Sequence, residues 1–243
     1  MRSFWLWLTC YFHTFGANNF LQMLKLSWWK WLCIVLIFYT LIEGFLGPVP
    51  ALPILNETIR NLYFHVTMWF AMMILMTVSL VYSIKYLSKP LAHNDTVAEM
   101  SAKVGMLFGI IGILTGMIWA KNTWGAYWVN DAKLNGAAAA LLVYTAYFIL
   151  RNAIEDETKR ARISSVYAIF AFTLMMVFIM VLPRMTDSLH PGNGGNPGFS
   201  TYDLDANMRK VFYPAVLGFT LLGIWIMQLK INIKKLQHFN DEQ

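Results

Sequence analysis

Two histidines and an aromatic segment are the residues best suited to chemistry in this chain. Residues 124–134 read WGAYWVNDAKL and lie between two apolar stretches, while His65 and His190 each lie at the end of another. Neutral imidazole is a common axial ligand of haem iron. Aromatic contacts add about 0.5–1.5 kcal/mol per pair beyond area burial. These residue types predict a site for a flat, aromatic, metal-centred ligand such as haem, if the fold brings them together.

Each of these features also has a plainer interpretation. A lone histidine at such a position is commonly hydrogen-bonded to a neighbouring helix, and tryptophan and tyrosine collect at the interface of any membrane protein. Helical spacing from His65 continues through four residues that favour ordinary core packing: Met68, Trp69, Met72 and Met76. The alternative is that Trp69 and Met68 line a ligand pocket.

Six long apolar stretches must position these residues. Of the 243 residues, 58% are hydrophobic and 13% charged, whereas soluble domains are about 25% charged. A helix needs about 20 apolar residues to cross the hydrocarbon core of a bilayer. We therefore predict an all-α integral membrane protein with six transmembrane helices. The predicted spans are 28–46, 62–82, 104–120, 134–150, 163–182 and 211–229.

The chain is predicted to form one membrane domain at residues 28–230, because no connection is long enough to fold around a core of its own. Residues 1–27 are predicted to be a cytoplasmic or interfacial extension, and residues 231–243 a cytoplasmic tail. Cys10 and Cys33 form no C-x-x-C pair, so thiol exchange and covalent haem attachment are unsupported. The sequence has no phosphate-binding loop of the GxxxxGK[ST] type, so a partner would have to bind any ATP.

The basic residues predict the orientation in the membrane. If the amino terminus is cytoplasmic, about two thirds of the 19 Lys and Arg residues fall on the inner side, and the positive-inside rule then places both termini in the cytoplasm. The same orientation brings His65, the aromatic segment and His190 to the outer face. The net charge of +6 is therefore a topological signal, and we predict no nucleic-acid partner.

Small residues predict where helices approach closely. Two small-xxx-small pairs allow close packing of span three, and they are formed by Gly105, Gly109, Gly112 and Gly116. Span four begins with GAAAA at residues 136–140. We expect spans three and four to pack tightly and to fix the aromatic segment between them.

The two histidines are expected to differ in mobility. His65 lies at the start of a predicted helix, whereas His190 precedes the segment PGNGGNPG at residues 191–198, whose composition resists regular structure. We therefore expect a rigid ligand at His65 and a movable one at His190. Such a pair suits a protein that must release what it binds.

The aromatic segment carries a family resemblance. Residues 118–134 (IWAKNTWGAYWVNDAKL) resemble the tryptophan-rich "WWD" signature of haem-handling proteins in cytochrome c assembly. Residues 61–66 (NLYFHV) resemble the first histidine region of the small six-span member of that superfamily, the haem exporter C type, and residues 188–190 (SLH) resemble the second. The resemblance covers about residues 28–230.

Three positions depart from the signature of that family. Asn130 stands where tryptophan usually precedes the aspartate, which removes an indole that could stack on the porphyrin. Tyr127 replaces a second tryptophan but keeps a ring, and Lys133 replaces an arginine but keeps the charge. The departure at Asn130 therefore weakens the match most.

The resemblance implies a binding site on the outer face. In that family, histidines on segments flanking the signature ligate haem, so His65 and His190 are expected to be the axial ligands of a transiently and non-covalently bound haem b. We expect Asp131 to orient the loop through backbone hydrogen bonds. The other residues expected at the site are Trp69, Trp119, Trp124, Tyr127 and Trp128 around the porphyrin, and Arg60, Lys133 and Arg184 as partners of the haem propionates.

The resemblance also implies a role without catalysis. The protein would present haem on the periplasmic face of the inner (cytoplasmic) membrane and pass it to a membrane-tethered haem chaperone during cytochrome c maturation. The implied partners are an ATP-binding-cassette subunit pair and a small single-span membrane protein, besides haem and the lipid bilayer. Two other functions remain open: the membrane subunit of an exporter for another small molecule, and an electron-transferring b-type cytochrome. The latter usually places its histidines inside facing helices, and this chain lacks such a second pair.

Overall fold

The computed structural model describes residues 27–52, 54–190 and 204–241, and describes only the backbone of residues 238–241. All but the last residue of the predicted extension 1–27 lies outside this part, as does His13. The six long helices are α1 (Trp28–Leu46), α2 (Leu62–Ser88), α3 (Ala92–Trp124), α4 (Ala132–Asn152), α5 (Glu157–Met176) and α7 (Ala206–Asp241). Three shorter elements are a 3₁₀ helix (Asn56–Asn61), a π-helical turn (Val177–Val181) and α6 (Leu182–Met185).

Six helical stretches of the described residues are long and apolar enough to span a membrane, which confirms the predicted class. They are Trp28–Leu46, Asn56–Ser88, Ala92–Trp124, Ala132–Asn152, Glu157–Met185 and Ala206–Gln237. The first agrees with its predicted bounds, whereas the other five extend beyond theirs at both ends. Hydropathy detects only the part of a helix that crosses about 30 Å of hydrocarbon, whereas the 33 residues of α3 rise by about 50 Å.

Helix α2 lies at the centre of the bundle and contacts α3, α5 and α7. Four of its side chains are completely buried in the main apolar core: Ala71, Met72, Leu75 and Met76. Met68 is also buried there. The three methionines of the stripe below His65 therefore pack in the core, whereas Trp69 lines the cavity described below.

The glycine stripe of α3 faces α2, not α4 as the sequence had suggested. A Cβ added to Gly116 would lie 2.6 Å from Cε1 of His65, which is closer than any side chain tolerates. The other contacts repeat this arrangement along the helix and pair Gly105 with Met76, Gly109 with Met72, and Gly112 with Trp69. Only Gly109 also meets α4, through Leu141. Small residues predict a close approach, but they do not specify which helix approaches.

The small residues that open α4 pack against the π-helical turn that follows α5. A Cβ on Gly136 would overlap the carbonyl oxygen of Phe178. Pro183 lies shortly after this turn, where it cannot donate the backbone hydrogen bond of a regular helix. The turn carries Ile179 and Met180, and both line the cavity described below.

Candidate functional site

A cavity of about 190 Å³ lies where α2, α3 and α4 meet the π-helical turn, α6 and the segment that ends at His190. Most of its walls are apolar, and they include Phe70, Met73 and Ile113. The structure brings seven of the predicted site residues to this lining: His65, Trp69, Trp119, Trp128, Lys133, Arg184 and His190. The cavity thus joins the two histidines and part of the aromatic segment, which are far apart in the sequence.

The imidazole of His65 is held by α3. Its Nδ1 lies 2.9 Å from the carbonyl oxygen of Gly112. A carbonyl can only accept, so Nδ1 is assigned as the protonated donor and Nε2 keeps a lone pair. The ring is flanked edge-on by Trp119 at 5.8 Å and Trp69 at 6.3 Å between ring centroids. His65 is therefore an oriented imidazole whose Nε2 is the nitrogen left to bind a metal.

Gly116 provides the space for this ring, so we expect Gly116→Ala to lower haem content by about tenfold, since overpacking of a rigid contact costs about 1–3 kcal/mol. The pyridine haemochrome absorbance per purified protein measures this. Gly105→Ala is the matched control, because its Cβ would meet only the flexible end of Met76, at 3.0 Å. Equal haem content in the two variants would contradict the expected crowding of His65.

His190 is held by a carboxylate in place of a carbonyl. Its Nδ1 donates to Oδ1 of Asp131 at 2.8 Å, so Nε2 is the ring nitrogen left for a metal. Trp124 lies edge-on to the ring at 4.9 Å between centroids. Histidines that ligate metals commonly donate their second N–H to a carboxylate in this way. Both histidines of the cavity thus have the second-nitrogen contact that fixes a ligating tautomer.

Asp131 connects the start of α4 to the His190 segment. It is only 2% exposed, and it is the N-cap residue of α4. Burial raises the pKa of this carboxyl, but hydrogen bonds from His190 and Ser188 outweigh burial and hold the pKa below the usual range. Besides His190, its oxygens accept from the N–H groups of Lys133 (2.9 Å), Leu134 (3.2 Å) and Leu189 (2.7 Å) and from the hydroxyl of Ser188 (2.8 Å).

These contacts modify the expectation that His190 is a movable ligand. Three groups of the segment 188–190 donate hydrogen bonds to Asp131, so the imidazole is held at the start of α4. We call these three contacts the Asp131 latch. The sequence showed the glycine-rich segment that follows His190 but not the residue that secures it. Residues 191–203 lie outside the described part of the chain.

The aromatic signature is the end of a helix followed by a short connection, and not a long loop. Trp119 and Trp124 lie on the last turns of α3. Gly125 ends that helix with a φ of 85°, a left-handed conformation that favours glycine. The connection then spans only residues 125–131. The indole N–H of Trp119 donates to Thr58 at 3.3 Å, which ties α3 to the 3₁₀ helix.

The connection itself is held by a small polar network. Trp128 lines the cavity, and its indole N–H donates to Oδ1 of Asn135 at 3.2 Å. The amide of Asn135 donates in turn to Oδ1 of Asn130 at 2.8 Å. Asn130, which replaces the usual tryptophan, therefore holds the connection through a hydrogen bond and offers no indole for stacking. Asn135 is not among the residues predicted for the site, and its position one turn into α4, after Asp131, is its only signal in the sequence.

Four predicted residues lie apart from the cavity lining. Tyr127 is 56% exposed, and the Lys121 ammonium lies 5.8 Å from the centre of its ring. Trp124 contacts the His190 ring. Asp131 accepts hydrogen bonds from three lining residues, His190, Lys133 and Leu134. The guanidinium of Arg60 donates to the Gly47 carbonyl at 2.6 Å and to Glu57, so it closes the end of α1. Lys133 and Arg184 are the two predicted cations that line the cavity.

The donor set restricts what this cavity can hold. The described residues contain no group of three or more His, Cys, Asp or Glu side chains that could hold a bare metal ion. Two imidazoles supply two ligands, and a porphyrin supplies the other four positions of a six-coordinate iron. The apolar and aromatic walls suit a porphyrin face, and Lys133 and Arg184 suit its carboxylates. The residues present therefore fit a haem.

The chain is similar to known proteins of one family. The family described as "CcmC: Heme exporter protein C" matches residues 11–242. The protein of that name from Bradyrhizobium diazoefficiens is 29% identical over 114 residues, which are 46% of this chain and 42% of the relative. The Haemophilus influenzae protein is 27% identical over 172 residues, 69% of this chain and 64% of the relative. The Rhodobacter capsulatus protein is 25% identical over 200 residues, 79% of this chain and 80% of the relative.

The match spans less than two thirds of the length of the first two relatives. The family profile, by contrast, covers nearly all of this chain, including both histidine regions and the aromatic signature. Together with six helices able to span a membrane, this identifies a multi-pass membrane protein. The chain belongs to the heme exporter protein C family.

Proposed function

We propose that this protein binds haem in the cavity at His65 and His190 and passes it on during cytochrome c maturation. The observation that carries the proposal is the pair of imidazoles on one aromatic cavity, each with Nδ1 donating to a protein acceptor. The relatives are named heme exporter protein C, and that name supports a haem-handling role. The role is binding and transfer, and this chain makes or breaks no covalent bond.

The two histidines divide the work of holding and releasing the cargo. His65 stays with the bundle, because its ring is fixed between α2 and α3. His190 depends on the Asp131 latch, and displacement of the segment 188–190 withdraws the imidazole together with its hydrogen-bond partners. Release therefore begins at His190, by ligand exchange. Displacement of His65 is the alternative route, but it requires separation of α2 from α3.

The remaining cavity residues bind the porphyrin itself. Trp69, Trp119 and Trp128 provide ring surfaces, and aromatic contacts add about 0.5–1.5 kcal/mol each. Lys133 and Arg184 pair with the propionates of a transiently and non-covalently bound haem b. Trp124 supports the porphyrin indirectly through the His190 ring.

The orientation and partners belong to the same proposal. We place both termini in the cytoplasm and the cavity on the periplasmic face of the inner membrane, with residues 28–230 as the haem-handling domain. A membrane-tethered chaperone then receives the haem. An ATP-binding-cassette subunit pair and a small single-span protein complete the assembly and supply any nucleotide energy.

A complementation experiment tests this function. In a bacterium that lacks its own protein of this family, we expect the wild-type chain to restore haem-stained c-type cytochromes. We expect the double variant His65→Ala/His190→Ala to reduce them by at least about tenfold, since it removes both iron ligands. His93→Ala is the matched control, because this exposed histidine lies at the start of α3, at the other end of the bundle.

Membrane levels of each variant are measured with an epitope tag. Full cytochrome c assembly by the double variant would contradict the haem-ligand proposal and favour an exporter of another small molecule. Stable turnover of the purified protein as an electron carrier in a redox titration would contradict it in favour of a b-type cytochrome.

A further inference from the structure

A buried ionic cluster lies at the end of the bundle opposite the haem cavity. Arg151 of α4 is only 3% exposed and donates to both carboxylate oxygens of Asp95, at 2.8 and 2.5 Å. Its guanidinium also reaches Glu99 at 3.2 Å. Glu99 further accepts from Lys103 and from Lys234 of α7, both at 2.6 Å. Ion pairs therefore join α3, α4 and α7, and the carboxylates of Asp95 and Glu99 are both already paired.

The position of this cluster along α3 indicates how deep it lies in the membrane. From Gly116, beside His65, to Glu99 the helix rises by roughly 25 Å at about 1.5 Å per residue. The hydrocarbon core of a bilayer is about 30 Å thick. If the haem cavity lies near one boundary of the core, the cluster lies near the other. Phospholipid phosphates lie at that level.

A crevice of about 220 Å³ opens on the cluster. Its lining consists of Glu99, Arg151, Asn152, Arg160 and Lys234, which are three cations, one carboxylate and one amide. Arg160 and Lys234 are partly exposed, with 28% and 37% of their side chains accessible. The crevice is therefore polar, has an excess of positive charge and can be reached from outside.

Among the described residues, two cations of the crevice have more N–H groups than the hydrogen bonds they make. The guanidinium of Arg160 uses one N–H for Glu157 at 2.9 Å, and it has five. The ammonium of Lys234 has three N–H groups, one of which is used for Glu99. Because Glu99 and Asp95 are committed to the buried pairs, the complementary group for the remaining donors is an added anion. Basic pockets between transmembrane helices bind anionic lipid headgroups on this principle.

We propose that this crevice binds the phosphate of an anionic phospholipid. Arg160 and Lys234 donate to the phosphate oxygens, and Asn152 donates from its amide. The bound lipid joins α4, α5 and α7 at the membrane boundary, while its acyl chains follow the outside of the bundle. This site is independent of the haem cavity, and it requires no haem.

Lipid titration of the purified protein tests the proposal. The wild type, Arg160→Gln and Arg162→Gln are prepared in a neutral detergent, and bound phosphatidylglycerol is counted by native mass spectrometry. We expect binding to be about tenfold weaker in Arg160→Gln, because charge-assisted hydrogen bonds are lost. Arg162 is the matched control, since it is exposed on the same helix but does not line the crevice. Arg160→Lys is expected to retain part of the binding, and haem content is expected to stay unchanged in all variants.

Parallel titrations with other ligands show whether the crevice prefers an anionic lipid, a neutral lipid or free phosphate. Phosphatidylcholine and sodium phosphate are titrated in parallel, and both are expected to bind far more weakly than phosphatidylglycerol. Equal lipid binding by the wild type and Arg160→Gln, or an equal loss in Arg162→Gln, would overturn the proposal. Tight binding of sodium phosphate alone would assign the crevice to a free anion. Stabilisation by an acidic peptide without any response to lipid would assign it to a protein partner.

Discussion

We expect the purified wild-type protein to carry a substoichiometric amount of b-type haem, and the His65→Ala and His190→Ala variants to lose most of it. Each substitution would remove one of the two proposed axial ligands, and the described residues of the cavity lining include no third histidine that could replace it. The expected loss is at least about tenfold for His65, whose ring is fixed between two helices. We expect a smaller but distinct loss for His190, because the His65 ligand remains in place. The pyridine haemochrome assay and the Soret absorption measure both effects.

Free imidazole distinguishes a lost ligand from a damaged fold. Added imidazole is expected to enter the space left by His65→Ala and to restore part of the low-spin spectrum, whereas a misfolded variant would not respond. His93→Ala is the control histidine, because its ring contacts Tyr82 far from the cavity. Haem content equal to that of the wild type in both cavity variants would refute the site.

The span number was predictable from sequence because apolar length is a local property. Each span needs only about 20 apolar residues to be recognised, and six were found where they were predicted. Which helix each span packs against, in contrast, depends on residues that are far apart in the sequence. The stripe from Gly105 to Gly116 marked a close contact correctly, but its partner is α2 because His65 and Trp69 project into the space that the glycines leave.

The sequence predicted seven of the residues that line the candidate cavity but not the contacts between them. Topology alone places His65, the aromatic segment and His190 at one end of the bundle. It does not show that α3 continues to Trp124 or that Arg60 is engaged at the end of α1. The role of Asn130 also depends on a partner, Asn135, that only the folded connection brings into contact.

The Asp131→Asn variant is expected to weaken haem binding by about 10–100-fold, the usual effect of losing the partner of a metal-ligating histidine. Aspartate and asparagine cap helices about equally well, so α4 is expected to keep its start. An amide, however, has one acceptor oxygen in place of two and carries no charge. It cannot accept from Leu189 and Ser188 while it also accepts from His190. The variant therefore releases the latch and leaves the helix intact.

The pH dependence of the latch has a definite sign. The pKa of Asp131 is held below the usual value of about 3.9, so the carboxylate is ionised in the folded protein throughout the neutral range. Its contribution to stability is present above that usual value and is lost only as the pH falls through the lower pKa of the folded state. Mild acidification therefore does not break the contacts of Asp131 with residues 188–190 by protonating its carboxylate.

Asp156→Asn is the matched control for this argument. Asp156 caps α5 by accepting from the N–H of Lys159 at 2.7 Å, and it has no histidine partner. If Asp131 acted only as a helix cap, Asp131→Asn and Asp156→Asn would both leave haem affinity almost unchanged. We expect Asp156→Asn to leave haem affinity unchanged, whereas Asp131→Asn weakens it and increases the rate at which haem dissociates to an added apoprotein acceptor. A dissociation rate equal to that of the wild type would show that the contact between Asp131 and His190 does not control release.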